Sequence, residues 1–233
     1  MTSARATTPH TSTREHPVHP EAPLIPFVIQ REGEEAAPDN LMLSLLEGGR
    51  YRLRYADEDP RDLRGVLWAR CSFGAADDLG MPVGRPQWRM MHPLRQRGTT
   101  QALRCQICTD LARTPLGYIF LAGPNMVDPE QTPVLTNQPP VCARHARAAA
   151  ELCPHLIRRP MVLLAQSAPL YGVNGVGYGY GEQGLQVVAR PKGPIPYGHE
   201  LLSTVLASQL VRRLSSFRTV DLNELLWELE RAA

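Results

Sequence analysis

Four residues near the middle of the sequence have the types and spacing of ligands for a metal ion. Cys105 and Cys108 are separated by two residues, so their thiolates can hold one tetrahedral ion from a tight turn. After 33 intervening residues, Cys142 and His145 repeat that separation. Two such pairs are a usual ligand set for structural zinc. The sequence therefore predicts one Zn2+ ion bound by these four side chains.

The residues around the second pair predict how its ligands are positioned. Pro139 and Pro140 stand just before it, and strong helix formers occupy positions 146–152. Cys142 and His145 are therefore expected in the first turn of a helix, where residues three apart share a face. The positive end of that helix also favours a thiolate at Cys142.

Between the two pairs, the sequence predicts a β-hairpin with arms at 117–122 and 133–136. A cysteine knuckle, a hairpin and a helix that carries ligands in its first turn together form a treble-clef arrangement. The predicted zinc module spans residues 100–158.

The predicted ion is structural rather than catalytic. Four Cys and His ligands complete the tetrahedron and leave no position for a reacting water. The sequence lacks the His-x-Glu and Pro-Cys-x-x-Cys elements of a zinc deaminase. No histidine occurs between Cys108 and His145, where a treble-clef nuclease needs one. No catalytic residue is assigned, and a non-enzymatic protein is favoured.

Three other side chains of ligand type are expected outside the coordination sphere. Cys153 would lie on the same helix face as Cys142 but roughly 16 Å along a continuous helix, so it is predicted to be a buried thiol. His155 is expected at the helix end against terminal carbonyl groups. Cys71 is expected in a core strand.

An interval without acidic residues leads into the first ligand pair. It runs from Asp78 to Asp110 and contains Trp88 together with several arginines. Unopposed guanidinium groups beside an aromatic ring suit a phosphate backbone, in DNA or RNA. The predicted nucleic-acid contacts are Arg89, Arg95, Arg97 and Arg104. Arginine is, however, almost the sole cation of this chain, with 24 arginines to one lysine, so these side chains can instead pair with acids elsewhere in the fold.

The segments 84–97, 105–108, 139–145 and 153–156 together resemble a group of uncharacterised actinobacterial zinc-binding proteins of similar length. The resemblance covers residues 85–158 well and 206–214 weakly. In that group the second pair is usually Cys-x-x-Cys, whereas here it is Cys142-x-x-His145, a change that zinc tolerates. The resemblance implies a zinc site and an actinobacterial origin, and it implies no activity.

Composition predicts an α+β fold around one sizeable core. The chain has 233 residues, of which 43% are hydrophobic. It has no apolar run of roughly 18 residues and no apolar segment near its start, so a cytoplasmic protein without membrane contact is expected. Five cysteines without an export signal indicate metal ligands and thiols rather than disulfides.

The predicted organisation is a disordered tail at 1–22 and a single domain at 23–233. That domain is expected to have a small mixed or antiparallel sheet, the embedded treble-clef-like module and C-terminal helices. Strands are predicted at 51–55, 65–73, 160–165 and 185–189, with 51–55 and 65–73 paired as a hairpin. The apolar run at 24–29 is predicted to be a first strand or the entry of the folded part. A loop is predicted at 171–184, a helix at 200–214, and a final helix after Asp221, where Asp-x-x-Glu is a capping signature.

The function predicted from these features is that of a structural-zinc binding or regulatory module, with nucleic acid as partner. One alternative is a protein–protein adaptor of a mobile element or operon, or a homodimer, that uses the terminal helices as its interface. Another is an enzyme whose pocket involves His92, Arg95 and the 171–181 segment. No nucleophile–base pair or phosphate-binding loop is visible in the sequence to support the enzyme.

Overall fold

The computed structural model describes residues 24–36, 40–123, 133–152, 156 and 160–232. The tail predicted at 1–22 lies outside these ranges. The described residues form three α-helices: α1 (Pro93–Gln101), α2 (Ala143–Leu152) and α3 (Leu222–Arg231). They also form one 3₁₀ turn (Glu200–Ser203) and fourteen strands: β1 (Ile29–Arg31), β2 (Leu41–Leu45), β3 (Tyr51–Tyr55), β4 (Leu67–Trp68), β5 (Pro86–Met91), β6 (Arg113–Thr114), β7 (Gly117–Ala122), β8 (Val134–Thr136), β9 (Met161–Ala165), β10 (Leu170–Gly181), β11 (Gly184–Ala189), β12 (Ile195–Pro196), β13 (Val205–Leu214) and β14 (Phe217–Val220).

The strands pair almost entirely antiparallel, which confirms the predicted α+β class. The largest sheet follows the order β11-β10-β13-β4, with β12 paired to β10 and β8 paired to β13. A second sheet has the order β14-β9-β7-β6, and two-stranded sheets join β1 to β5 and β2 to β3. The parallel pair is β13 with β4. None of the described helices is long and apolar enough to cross a membrane.

The prediction of a helix at 200–214 is wrong, because a 3₁₀ turn and the ten-residue strand β13 occupy that segment. The apolar residues of β13 look helical in sequence because they do not alternate. Two register shifts in the pairing with β10 interrupt the alternation, and neighbouring residues such as Leu210 and Val211 are both buried. A strand covered on both faces loses the period-two pattern by which it is recognised.

The prediction of a loop at 171–184 is also wrong, since strand β10 (Leu170–Gly181) covers residues 171–181. The glycines of β10 allow neighbouring backbones to pack closely against the strand and do not form a turn. A Cβ atom on Gly172 would stand 1.9 Å from the carbonyl oxygen of Ile195, and one on Gly175 would stand 2.4 Å from that of Leu206. Glycine inside a strand commonly marks such an approach of another backbone.

The hairpin partner predicted for β3 is likewise wrong. The strand at Tyr51–Tyr55 is confirmed, but it pairs with β2 across the turn at Gly48 and Gly49. The segment predicted at 65–73 contributes only β4, which joins β13 in parallel. Of the segment predicted at 24–29, only Ile29 lies in a strand. The strands predicted at 160–165 and 185–189 are confirmed as β9 and β11.

The final helix is confirmed together with its predicted cap. Asp221 accepts hydrogen bonds from the backbone N–H groups of Asn223 and Glu224 and so begins α3. Leu225 and Leu229 of α3 are buried in one core cluster with Cys105, Cys108 and the apolar faces of α2, β7 and β9. The C-terminal helix therefore packs on the same core that contains the predicted metal ligands.

Candidate metal centre

The first pair of ligands lies in a tight turn that backbone bonds hold from outside. Residues Arg104 and Leu111 form an antiparallel bridge, and Cys105 N donates to the carbonyl oxygen of Asp110 at 2.7 Å. Thr109 N donates back to the carbonyl of Cys105 at 2.9 Å. Thr109 reverses the chain with a φ of 64°, a left-handed conformation that is rare outside glycine. The cysteine at 108 therefore points to the same side as Cys105.

The second pair begins α2, as the sequence predicts. Cys142 directly precedes the helix, and its carbonyl accepts a hydrogen bond from His145 N at 3.1 Å. The segment before it is bound to the knuckle, because Gln106 N donates to the carbonyl of Pro140 at 2.9 Å and Gln106 Nε2 donates to that of Pro139 at 3.2 Å. These bonds join the segment that carries the first ligand pair to the segment that carries the second.

The four ligand atoms converge on one point. The sulfurs of Cys105, Cys108 and Cys142 and a ring nitrogen of His145 all lie within 4.8 Å of one another. Cys108 Sγ and Cys142 Sγ are 3.9 Å apart, and His145 Nδ1 lies 3.3 Å from Cys142 Sγ. A tetrahedron with metal–sulfur bonds of about 2.3 Å has sulfur–sulfur edges of about 3.8 Å. The cluster therefore has the size and the donor set to hold one metal ion.

Charge in the cluster favours a cation among the sulfurs. Hydrogen bonds with Cys105, Cys108 and Cys142 raise the pKa of His145 to about 11, although its burial acts in the opposite direction. A metal ion bound at Nδ1 would take the place of that proton. At the rim, a hydrogen bond with Cys108 is the main cause that raises the pKa of Arg144, which also forms a 2.7 Å ion pair with Asp110.

The hairpin predicted between the ligand pairs does not have the predicted arms. Strand β7 at Gly117–Ala122 pairs with β9 and, for two residues, with β6. Strand β8 at Val134–Thr136 instead joins β13 in the largest sheet. A short β6–β7 hairpin does follow the knuckle, but the two predicted arms lie in different sheets. The predicted neighbours Cys153 and His155 lie outside the described residues, whereas Cys71 is buried as expected.

The four arginines predicted to contact nucleic acid differ in exposure and in the groups that they bind. Arg95 is buried and donates to both carboxylate oxygens of Glu34, at 2.6 and 2.5 Å, so its guanidinium group is not available to a phosphate. Arg97 lies over the ring of Trp68 at 4.7 Å and reaches Asp62 at 3.7 Å. Arg89 and Arg104 are exposed. Arg104 donates to the carbonyl of Thr109 at 2.8 Å, which holds it beside the knuckle.

His92, the centre of the predicted enzyme pocket, has a structural environment. It caps α1, where its Nδ1 accepts from Arg95 N, and its Nε2 lies 3.1 Å from the carbonyl of Ser72. The ring is fully buried and stacks on Phe73 at 4.7 Å. Burial is the main cause that lowers the pKa of His92, so the neutral ring is favoured. With both nitrogens engaged and no exposed edge, this ring is not placed to accept a proton from a ligand.

Two cavities were missed by sequence reasoning. One, of about 240 Å³, lies beside the ligand cluster and is bounded by Gln106, Ala149 and Met91. The other, of about 650 Å³, lies at the far end of α1 and includes Arg97 and Tyr197. Each is lined by residues from several distant segments, so no local motif indicates it. The nearest signal was the presence of Trp88 and Arg97 in the acid-free interval.

No family model, curated protein or solved structure matches this chain. The predicted relation to actinobacterial proteins and the predicted cytoplasmic location therefore stay predictions.

Proposed function

We propose that this protein is a binding module whose fold depends on one structural zinc ion held by Cys105, Cys108, Cys142 and His145. The observation that carries the proposal is the convergence of these four donors within 4.8 Å at the junction of the knuckle and α2. Three thiolates and one imidazole are a usual ligand set of structural zinc. Such a set fills all four positions, so the ion supplies folding free energy rather than a reactive water.

The proposed ion would fasten two chain segments that are 34 residues apart in sequence, from Cys108 to Cys142. Both segments border the core cluster that α3, β7 and β9 also share. Because the four donors converge only in the folded chain, the binding free energy of the ion adds to the stability of the fold. The metal centre thus lies where a bound ion would hold two segments of the core together.

Metal content measured together with folding tests this proposal. Purified protein is expected to contain one zinc per chain by elemental mass spectrometry. Cys105→Ala is expected to lose that zinc and to become insoluble or protease-sensitive, whereas Cys71→Ala, a buried cysteine outside the cluster, is expected to retain it. A Cys105→Ala protein that folds normally without metal would show the zinc assignment to be wrong.

A second candidate function is contact with nucleic acid through Arg89 and Arg104. Both side chains are exposed, and Arg104 is held beside the knuckle by its bond to Thr109. Of the four predicted arginines, the other two are engaged within the fold. Arg95 is paired with Glu34, and Arg97 lies over Trp68 and near Asp62. One of the two terminal helices that the adaptor alternative requires is not formed, since a 3₁₀ turn and strand β13 occupy residues 200–214.

Fluorescence anisotropy with labelled duplex and single-stranded DNA at two salt concentrations tests this candidate. The affinity is expected to fall with salt, and the double variant Arg89→Gln/Arg104→Gln is expected to reduce the slope of log K against log salt by roughly 1 for each arginine removed. Arg190→Gln, an arginine on another part of the chain, serves as the control. Binding that is absent, or that does not depend on salt, would exclude this role.

A further inference from the structure

A cleft rich in arginine and aromatic side chains lies where the 61–68 segment meets α1 and the end of β12. Its volume is about 650 Å³, and its polar lining consists of Arg61, Asp62, Arg64, Arg97, Gln101 and Tyr197. Trp68, Leu170 and Leu210 contribute its apolar surface. The cleft uses none of the proposed metal ligands, so its chemistry does not depend on the zinc assignment.

Arg61 is part of the wall of this cleft rather than a free cation. Its Nη1 donates to the carbonyl of Gly65 at 2.6 Å, its Nη2 donates to that of Ser203 at 3.1 Å, and its Nε lies 3.0 Å from Asp59. Its side chain is 6% exposed. These bonds fix the loop that carries Asp62 and Arg64 against the 3₁₀ turn.

The carboxylate of the cleft, Asp62, is already occupied by neutral donors. Its Oδ1 accepts from Arg64 N at 2.9 Å and from Val66 N at 3.0 Å, and its Oδ2 accepts from Trp68 Nε1 at 2.9 Å. A longer contact of 3.7 Å joins it to the guanidinium group of Arg97. Asp62 carries one negative charge, which is too little to balance both Arg64 and Arg97 in the cleft.

Two guanidinium groups of the cleft stack on aromatic rings, and Arg97 also has the long contact with Asp62. Arg64 lies 4.7 Å above the ring of Tyr197, and Arg97 lies 4.7 Å above the ring of Trp68. Stacking fixes the plane of a guanidinium group and leaves its in-plane donors free for an oxyanion. Arg64 is exposed, and its guanidinium group stacks on Tyr197.

Tyr197 adds a neutral hydroxyl to the same space. Burial is the main cause that raises its pKa, and the charges of Arg64 and Arg97 both act on it in the opposite direction. The hydroxyl therefore stays protonated at neutral pH and can donate a hydrogen bond in the cleft that Arg64 and Arg97 also line.

We propose that this cleft binds a small organic phosphate, with the phosphate group held by Arg64 and Arg97 and the uncharged part against Leu170 and Leu210. Two ordered guanidinium groups match a phosphate through paired hydrogen bonds. The volume of about 650 Å³ exceeds what inorganic phosphate alone would fill. The same chemistry is offered by a free nucleotide and by a terminal phosphate of a single strand.

Isothermal titration of the full chain with adenosine 5′-monophosphate and with ribose 5-phosphate tests the proposal. At least one of them is expected to bind, and Arg64→Gln is expected to weaken that binding roughly tenfold or more. Arg64 is exposed, so the variant is expected to fold, which a thermal melt would check. Arg64→Lys is expected to restore only part of the affinity, since it keeps the charge but loses the paired donors. Arg190→Gln, an exposed arginine outside the cleft, is the matched control.

The outcomes separate this proposal from the others. Tighter binding of a 5′-phosphorylated single strand than of the mononucleotide would assign the phosphate to a nucleic acid, and the reverse order would assign it to a free nucleotide. Adenosine without phosphate is expected to bind at least tenfold more weakly than its monophosphate. No binding of either phosphate at millimolar concentration, equal binding of adenosine, or full affinity in folded Arg64→Gln would overturn it, whatever the zinc content.

Discussion

Glu34 is a buried carboxylate that binds the guanidinium group of Arg95 and the backbone of Arg31. It is 1% exposed and accepts from both Nη atoms of Arg95 and, at 2.7 Å, from the backbone N–H of Arg31. Arg31 itself donates to the carbonyl groups of Ile29, Pro26 and Pro82. Burial lowers the pKa of Arg31 to about 10, with the charge of Arg95 adding to the effect. This cluster explains why Arg95 of the acid-free interval turns inward.

Glu34→Gln is therefore expected to destabilise the fold severely. It leaves the buried guanidinium group of Arg95 without its anion, and breaking a buried pair in this way costs about 3–5 kcal/mol. Glu32→Gln, an exposed neighbour, is expected to have little effect. Denaturant unfolding of the three proteins at neutral pH measures the difference, and equal midpoints would contradict the prediction.

The difference in stability between wild type and Glu34→Gln is also expected to depend on pH. Burial alone would raise the pKa of Glu34, but hydrogen bonds from Arg95, Arg31 and Gly74 together hold it below its usual 4.5. A carboxyl with a lowered pKa contributes stability above its unfolded value, and loses that contribution as pH falls towards its folded value. The unfolding free energies of wild type and Glu34→Gln are thus expected to converge below about pH 4.5, while a constant gap would contradict this account.

At the scale of elements, the cap of α3 gives a prediction of moderate size. Asp221 Oδ1 accepts from two backbone N–H groups, at 2.8 and 3.1 Å, and its charge faces the positive end of the helix. Asp221→Ala is expected to cost about 1 kcal/mol of unfolding free energy. Glu230→Ala, exposed in the last turn, is the control. An unchanged midpoint in Asp221→Ala would mean that α3 is held by packing alone.

Strand β10 gives a prediction of its own, because its glycines allow neighbouring backbones to approach. Gly172→Ala places a Cβ atom 1.9 Å from the carbonyl oxygen of Ile195, so the β10–β12 pairing must shift. Overpacking of this kind costs about 1–3 kcal/mol. Gly193→Ala, where a Cβ atom meets nothing within 4 Å, is expected to be neutral. Thermal melts of both variants check this, and equal melting temperatures would contradict it.

Prediction from the sequence succeeded where the signal is local. The ligand spacing, the Asp221 cap and the alternation of Tyr51–Tyr55 each depend on residues close together in the chain, and the structure confirms that the four ligand residues converge and that the helix and strand form. Prediction failed where the structure of a segment depends on pairing with residues far away in the sequence. Register shifts hide the alternation of β13, and the glycines of β10 indicate a turn until the neighbouring strands are known. The pairing of Arg95 with Glu34, 61 residues away, has no signal in the sequence.

For the whole molecule, the core clusters predict that metal removal acts unevenly. The cluster that contains Cys105 and Cys108 includes α2, α3, β7 and β9. A separate cluster joins Val66, Trp68 and residues of β10 and β13. Chelation is therefore expected to speed amide hydrogen exchange at 104–122 and 143–152 before it does so at 170–181 and 205–211. Added zinc should restore protection, and uniform loss across both regions would contradict this expectation.

The packing of Leu225 and Leu229 against the ligand cluster has a consequence for biosynthesis. Leu225 follows His145 by 80 residues, so all four ligands leave the ribosome well before the helix that closes their core. At about 5–20 residues per second, roughly 4 to 16 s pass between these events. During that interval the nascent knuckle and α2 lack the hydrophobic cover that α3 provides. An ion taken up early would hold the two segments together while the rest of the chain is still being translated.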